Sequence, residues 1–68
     1  MPFVNIKITK EDGPTKEQKE ALIAEVTEVL VRVLHKNKAS TVVIIDEVET
    51  DNYGLGGQSI TQVRKANP

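Results

Sequence analysis

The sequence predicts an α+β fold: a single β-α-β unit followed by a short C-terminal hairpin. Three stretches predict it. Residues 2–9, PFVNIKIT, alternate apolar and polar side chains. A helical apolar stripe starts after Thr15, and residues 41–48, TVVIIDEV, are a nearly continuous β-branched run.

In the first stretch Pro2, Val4, Ile6 and Ile8 point one way and Phe3, Asn5 and Lys7 the other, the period-2 signature of a strand with one strongly apolar face. Residues 10–14, KEDGP, carry the charge, glycine and proline of a turn. Thr15 followed by Gln18 has capping-box spacing, with Thr15 as N-cap, and the helix runs to Leu34 or His35. At 100° per residue Leu22, Ile23, Val26, Val29, Leu30, Val33 and Leu34 fall within an arc of roughly 140°. Glu17, Glu25, Glu28 and Arg32 lie opposite, with Glu28 and Arg32 spaced as an i,i+4 ion pair. Val31 falls outside the arc and offers a second contact surface. Residues 35–40, HKNKAS, end the helix with cations suited to the C-terminal end of its dipole.

The run 41–48 reads as a strand covered on both faces. Strand, helix and strand in so short a chain make one right-handed unit with a parallel pair. Two strands are not independently stable; the helix covers one face, and the other needs something from outside the chain. Residues 52–57, NYGLGG, read as a turn or short hairpin whose glycines take positive φ. Residues 58–68 read as a polar terminus.

The 68 residues fit one domain, 1–68, and bury too little apolar surface for comfortable stability alone. Disulfides, a structural metal or oligomerisation are the usual remedies. With no cysteine and the single histidine His35, oligomerisation is the one expected. Nine Lys/Arg against ten Asp/Glu leave a net charge of −1, no footprint for nucleic acid. Phe3 and Tyr53 are the only aromatics, too few for a base-stacking platform. No apolar run approaches the ~20 residues of a membrane span, and no secretory signal opens the chain. A soluble, cytoplasmic protein is expected.

Familiar catalytic constellations are missing. No Ser–His–Asp pattern has supporting context, and His35 beside lysines at a helix end reads as solvated. No metal or cofactor site is expected: His/Cys ligands are absent, and Asp46, Glu47, Glu49 and Asp51 lack the spacing of a calcium loop, reading instead as a strand end and solvated loop. GLGG at 54–57 lacks the GxGxxG spacing of a phosphate cradle. The first dipeptide remains. A methionine before the small residue Pro2 is readily removed, exposing a secondary amine. An α-amino group titrates near ~7.7–8.0, and burial lowers that, toward the poise required for proton abstraction beside a carbonyl.

MPFVNIKI, EQKEALIAEVTEVL, KNKASTVVIIDEV and NYGLGG together resemble, in order and over nearly the whole chain, the 4-oxalocrotonate (2-hydroxymuconate) tautomerase family. The resemblance implies a β-α-β protomer paired into a four-stranded sheet with two helices, usually assembled into a hexamer as a trimer of dimers. It implies that Pro2, freed of Met1, is the general base interconverting enol and keto forms of a small unsaturated 2-hydroxy or 2-oxo acid such as 2-hydroxymuconate, without cofactor or metal. It also implies that Tyr53 matches a substrate-lining aromatic position, usually phenylalanine. Two arginines that grip substrate in studied members align with Pro14 and Val42. Arg32 and Arg64 match neither position, so Lys7, Lys10, Lys36 and Lys38 are the available cations; lysine lacks arginine's bidentate fork. A non-catalytic oligomeric protein on the same scaffold, or a proline-dependent hydratase or dehalogenase, are the alternatives.

Overall fold

The computed structural model describes residues 1–66. The chain runs β1 (Phe3–Thr9), α1 (Lys16–Leu34), β2 (Val42–Val48), β3 (Gly54–Leu55), β4 (Gln58–Ser59) and α2 (Ile60–Ala66), with 3-10 turns at Lys38–Ser40 and Thr50–Asn52. β1 and β2 pair in parallel from Phe3 opposite Val42 to Thr9 opposite Val48. β3 and β4 form an antiparallel hairpin. The expected β-α-β unit with a short hairpin is therefore what the chain adopts.

Local chemistry fixes each junction. Thr15 caps α1 through a complete capping box: the Gln18 N–H donates to Thr15 Oγ1 at 3.1 Å, and the Thr15 N–H donates to Gln18 Oε1 at 2.8 Å. At the other end His35 takes a left-handed conformation, φ 55°, and its N–H donates to the Val31 carbonyl. The hairpin turn holds Gly56 at φ 63° and Gly57 at φ 89°, the paired positive values of a tight two-residue reversal. Gly54 is needed for a different reason: a Cβ there would lie 2.8 Å from the Gln58 carbonyl oxygen.

In-register pairing puts Val4, Ile6, Ile8, Val43, Ile45 and Glu47 on one sheet face, and Phe3, Asn5, Lys7, Thr9, Val42, Ile44, Asp46 and Val48 on the other. A Lys19–Glu47 ion pair at 2.6 Å shows that α1 covers the first face. The second is open, with Phe3 62% and Ile44 37% exposed.

The core is correspondingly thin. Among the described residues only Thr27 is buried, and its hydroxyl donates to the Ile23 carbonyl one turn back at 2.7 Å. Of the apolar arc predicted on α1, Leu22, Val26 and Leu30 are half-buried, while Ile23, Val29, Val33 and Leu34 stay exposed. Two strands about 4.8 Å apart are too narrow to cover that arc. The Cα radius of gyration, 15.7 Å, exceeds the roughly 11 Å of a compact 68-residue domain.

Two expectations need correction. Residues 58–66 are not an unstructured polar terminus but β4 and α2; residues 67 and 68 lie outside the described residues. Glu28 pairs with Lys38 at 2.9 Å rather than with Arg32, because the left-handed cap turns the chain back toward the helix. The carboxylates at 46–51 do form the expected strand end and solvated loop, and they find partners there: Asp46 meets Lys7, Glu47 meets Lys19, Glu49 meets Lys10, and Asp51 accepts from Thr61 Oγ1.

Candidate active site

Parallel pairing gives the sheet two chemically different ends. Pro2 stands at the first, directly before β1 and half-buried, with its carbonyl accepting from the Val42 N–H at 3.0 Å. This bond fixes the first peptide of the strand. Met1 projects beyond it, 86% exposed. Because α1 returns the chain to this end, the turn at Lys38–Ser40 also lies here, held by Asn37: its Oδ1 accepts from the Ala39 N–H, and its carbonyl accepts from the Thr41 hydroxyl at 2.8 Å.

Tyr53 stands at the opposite end, beyond β2. Its hydroxyl accepts a hydrogen bond from Thr9 Oγ1 at 3.2 Å, and its carbonyl accepts from the Ile60 N–H at 2.9 Å, so ring and backbone are both tied down. Beside it is a hollow of about 360 Å³, open to one side and lined by Lys7, Ile8, Thr9, Val48, Asn52 and Tyr53. About seven residues of strand, at ~3.3 Å each, put Pro2 and Tyr53 on the order of 20 Å apart within one chain. The protomer does not bring the two predicted site residues together.

The positions aligned with arginines supply no cation at either end. Val42 is apolar and neighbours Pro2, while Pro14 lies in the loop after β1. Arg64 is held by Glu11 at 2.5 Å. Lys7, Lys10 and Lys38 are ion-paired, and Lys36 has no side-chain partner among the described residues. Asp46 accepts from Lys7 Nζ at 2.9 Å and from Asn5 Nδ2 at 3.0 Å. The lysine bond, helped by the asparagine bond and the lysine charge, holds this carboxyl below its ordinary range.

Sequence reading missed Thr9 and Asn52 at the hollow. Thr9 continues the Phe3, Asn5, Lys7 face of β1, which was a legible signal; Asn52 had none, since only the fold at Thr50–Asn52 brings it there.

The chain belongs to the tautomerase family: the family model described as tautomerase enzyme matches residues 2–62. A probable tautomerase K2 of Dickeya dadantii is 68% identical over 65 residues, covering 96% of each chain. The solved DmpI from Helicobacter pylori superposes with a TM-score of 0.80 at 57% identity, over 97% of this chain and 100% of that one. A heterohexamer 4-oxalocrotonate tautomerase from Chloroflexus aurantiacus gives 0.75 at 25% identity, over 94% of this chain and 100% of that one. The expected family and fold are therefore established. Among the described residues no helix is long and apolar enough to cross a membrane.

Proposed function

We propose that the chain is a cytoplasmic, single-domain isomerase, a keto–enol tautomerase that uses the Pro2 nitrogen as general base on a small unsaturated 2-hydroxy or 2-oxo acid such as 2-hydroxymuconate. The observation that carries this reading is the placement of Pro2 in a tautomerase-family chain. Its carbonyl is anchored to β2 and its ring is half-buried, so the amine left by loss of Met1 is held on a rigid element. Burial disfavours the charged ammonium and keeps the amine free to accept a proton. It takes the enol proton and returns it to a carbon of the conjugated system, leaving the keto acid.

The working form is a homo-oligomer, a hexamer built as a trimer of dimers. The protomer exposes 5192 Å² where a compact monomer of 7.5 kDa exposes about 4250 Å². The excess is close to the roughly 800 Å² that one partner contributes to a standard interface. Strands of two chains laid antiparallel place the Pro2 end of one beside the Tyr53 end of the other, completing a site that neither chain holds alone. The Chloroflexus relative, a heterohexamer, supports six subunits.

The test is intact mass to verify loss of Met1, followed by assay of that sample with 2-hydroxymuconate and phenylenolpyruvate. Activity rises with pH as the amine loses its proton. Pro2→Ala lowers it by about 10²–10⁴-fold, the usual range for a general base, and retained Met1 abolishes it. Full activity in protein that keeps Met1 would refute the mechanism. The apolar Val42 beside Pro2 favours one second reading, a non-catalytic protein on this scaffold; absence of turnover with both compounds in Met1-free protein would select it.

A further inference from the structure

We propose that the hollow at the Tyr53 end is an anion subsite, built by the Tyr53 hydroxyl, the Asn52 amide and the Lys7 ammonium, that takes a carboxylate oxygen. Its donors carry the inference. Thr9 Oγ1 donates to the Tyr53 oxygen, so the phenol's own proton is directed away from Thr9 and is available to a ligand. The Tyr53 backbone is anchored through Ile60, so this donor is fixed before anything binds. The Asn52 N–H is satisfied by the Glu49 carbonyl, but its side-chain amide has no partner among the described residues. Lys7, paired with Asp46, also lines the hollow. Val48, on the same sheet face as Lys7 and Thr9, supplies an apolar wall for a short carbon chain.

The surrounding charges fit an anion. Glu49 is committed to Lys10, Asp51 to Thr61, and Glu11 to Arg64. Glu47 is committed to Lys19, Asp12 stands exposed in the loop after β1, and Asp46 shares Lys7 and so competes with any bound anion. This gives the subsite a directional signature: removing Lys7 weakens binding, and removing the Asp46 charge strengthens it. The inference rests on the proposed activity only in making the physiological anion the acid group of the substrate. It supplies the polar grip that Pro14 and Val42 do not.

Tyr53 is the only tyrosine and the chain has no tryptophan, so intrinsic fluorescence reports on this hollow alone. The assembled wild-type protein is titrated with adipate, a transparent dicarboxylate, and with its uncharged dimethyl ester. Adipate changes the emission saturably and the ester does not. Lys7→Met and Asn52→Ala each weaken adipate about three- to tenfold, and Asp46→Asn tightens it several-fold. Thr9→Val weakens it by releasing the phenol. An equal response to acid and ester would overturn the proposal, as would Asp46→Asn weakening adipate like Lys7→Met. Asn52→Ala alters a loop side chain without internal bonds and stays informative if Lys7→Met fails to fold; unchanged affinity there also overturns the subsite. Adipate binding in Met1-free protein without turnover leaves the subsite standing and removes the tautomerase reading. Turnover with no adipate response does the reverse.

Discussion

Replacing Phe3 with alanine should take the assembly apart. Phe3 sits on the open face of the two-stranded sheet, 62% exposed, beside Val42 and near Ile44. An aromatic side chain carries roughly 150–250 Å², so roughly 90–150 Å² of this ring remains in water in the isolated protomer. Covering that area stabilises by about 2–4 kcal/mol at about 25 cal/mol per Å². A twofold interface uses both copies, giving about 4–8 kcal/mol, or about three to six decades in dissociation constant. Sedimentation velocity across a dilution series reads this directly, with Glu25→Gln on the polar side of α1 as the control that leaves assembly intact. Helical signal should fall with dissociation, since the core of the protomer is thin and the proposed assembly would cover its exposed apolar faces. A folded 7.5 kDa wild-type monomer at micromolar concentration, or a Phe3→Ala variant with wild-type affinity, would refute the reasoning.

Three further outcomes follow from particular bonds. Thr15→Ala removes half of the capping box and should cost about 1 kcal/mol, read as a lower urea midpoint at unchanged m-value. Val42→Arg places a guanidinium next to Pro2 and should raise kcat/KM for a dicarboxylic dienol by about one to two decades over a monocarboxylic one, since a charge-assisted bond contributes about 1.5–3 kcal/mol; equal gains for both substrates would contradict it. Asp46 has a native pKa below its ordinary value of 3.8, so its contribution is present above that value and is lost as pH falls below it toward the native pKa. The Tm difference between wild type and Asp46→Asn should therefore be widest near neutral pH and close below about pH 4, the ordinary carboxylate range.

Most of the fold was legible because its signals are local. Alternation in β1, β-branching in β2, the Thr15/Gln18 cap and the paired glycines at 56 and 57 each act within a few residues. The helix α2 was missed because Ile60 and Val63 are too few to draw an apolar stripe. A signal did exist: Ser59 and Gln62 have capping-box spacing, and the Gln62 N–H does donate to Ser59 Oγ at 3.2 Å. At the candidate site Pro2 could be singled out because its chemistry depends on position in the sequence alone. The Thr9–Tyr53 and Lys7–Asp46 contacts join residues 44 and 39 apart, and only the parallel register brings them together. Periodicity marks the α1 arc as one apolar stripe without saying whose surface covers it, so it does not separate the half-buried members from the exposed Ile23, Val29, Val33 and Leu34.

The parallel pairing of β1 and β2 makes each protomer a rod with a head and a tail, Pro2 at one and Tyr53 at the other. If each site takes its head from one chain and its tail from another, the number of sites equals the number of chains, whatever the size of the ring. Damage then becomes divisible. A chain defective only at its head still lends a sound tail to a neighbour, and a chain defective only at its tail still lends a sound head. Two variants, each inert alone, would regain turnover when unfolded together and reassembled. In an even random mixture about one site in four draws both halves from undamaged ends, an arithmetic unavailable to any protein whose active site is complete within a single chain.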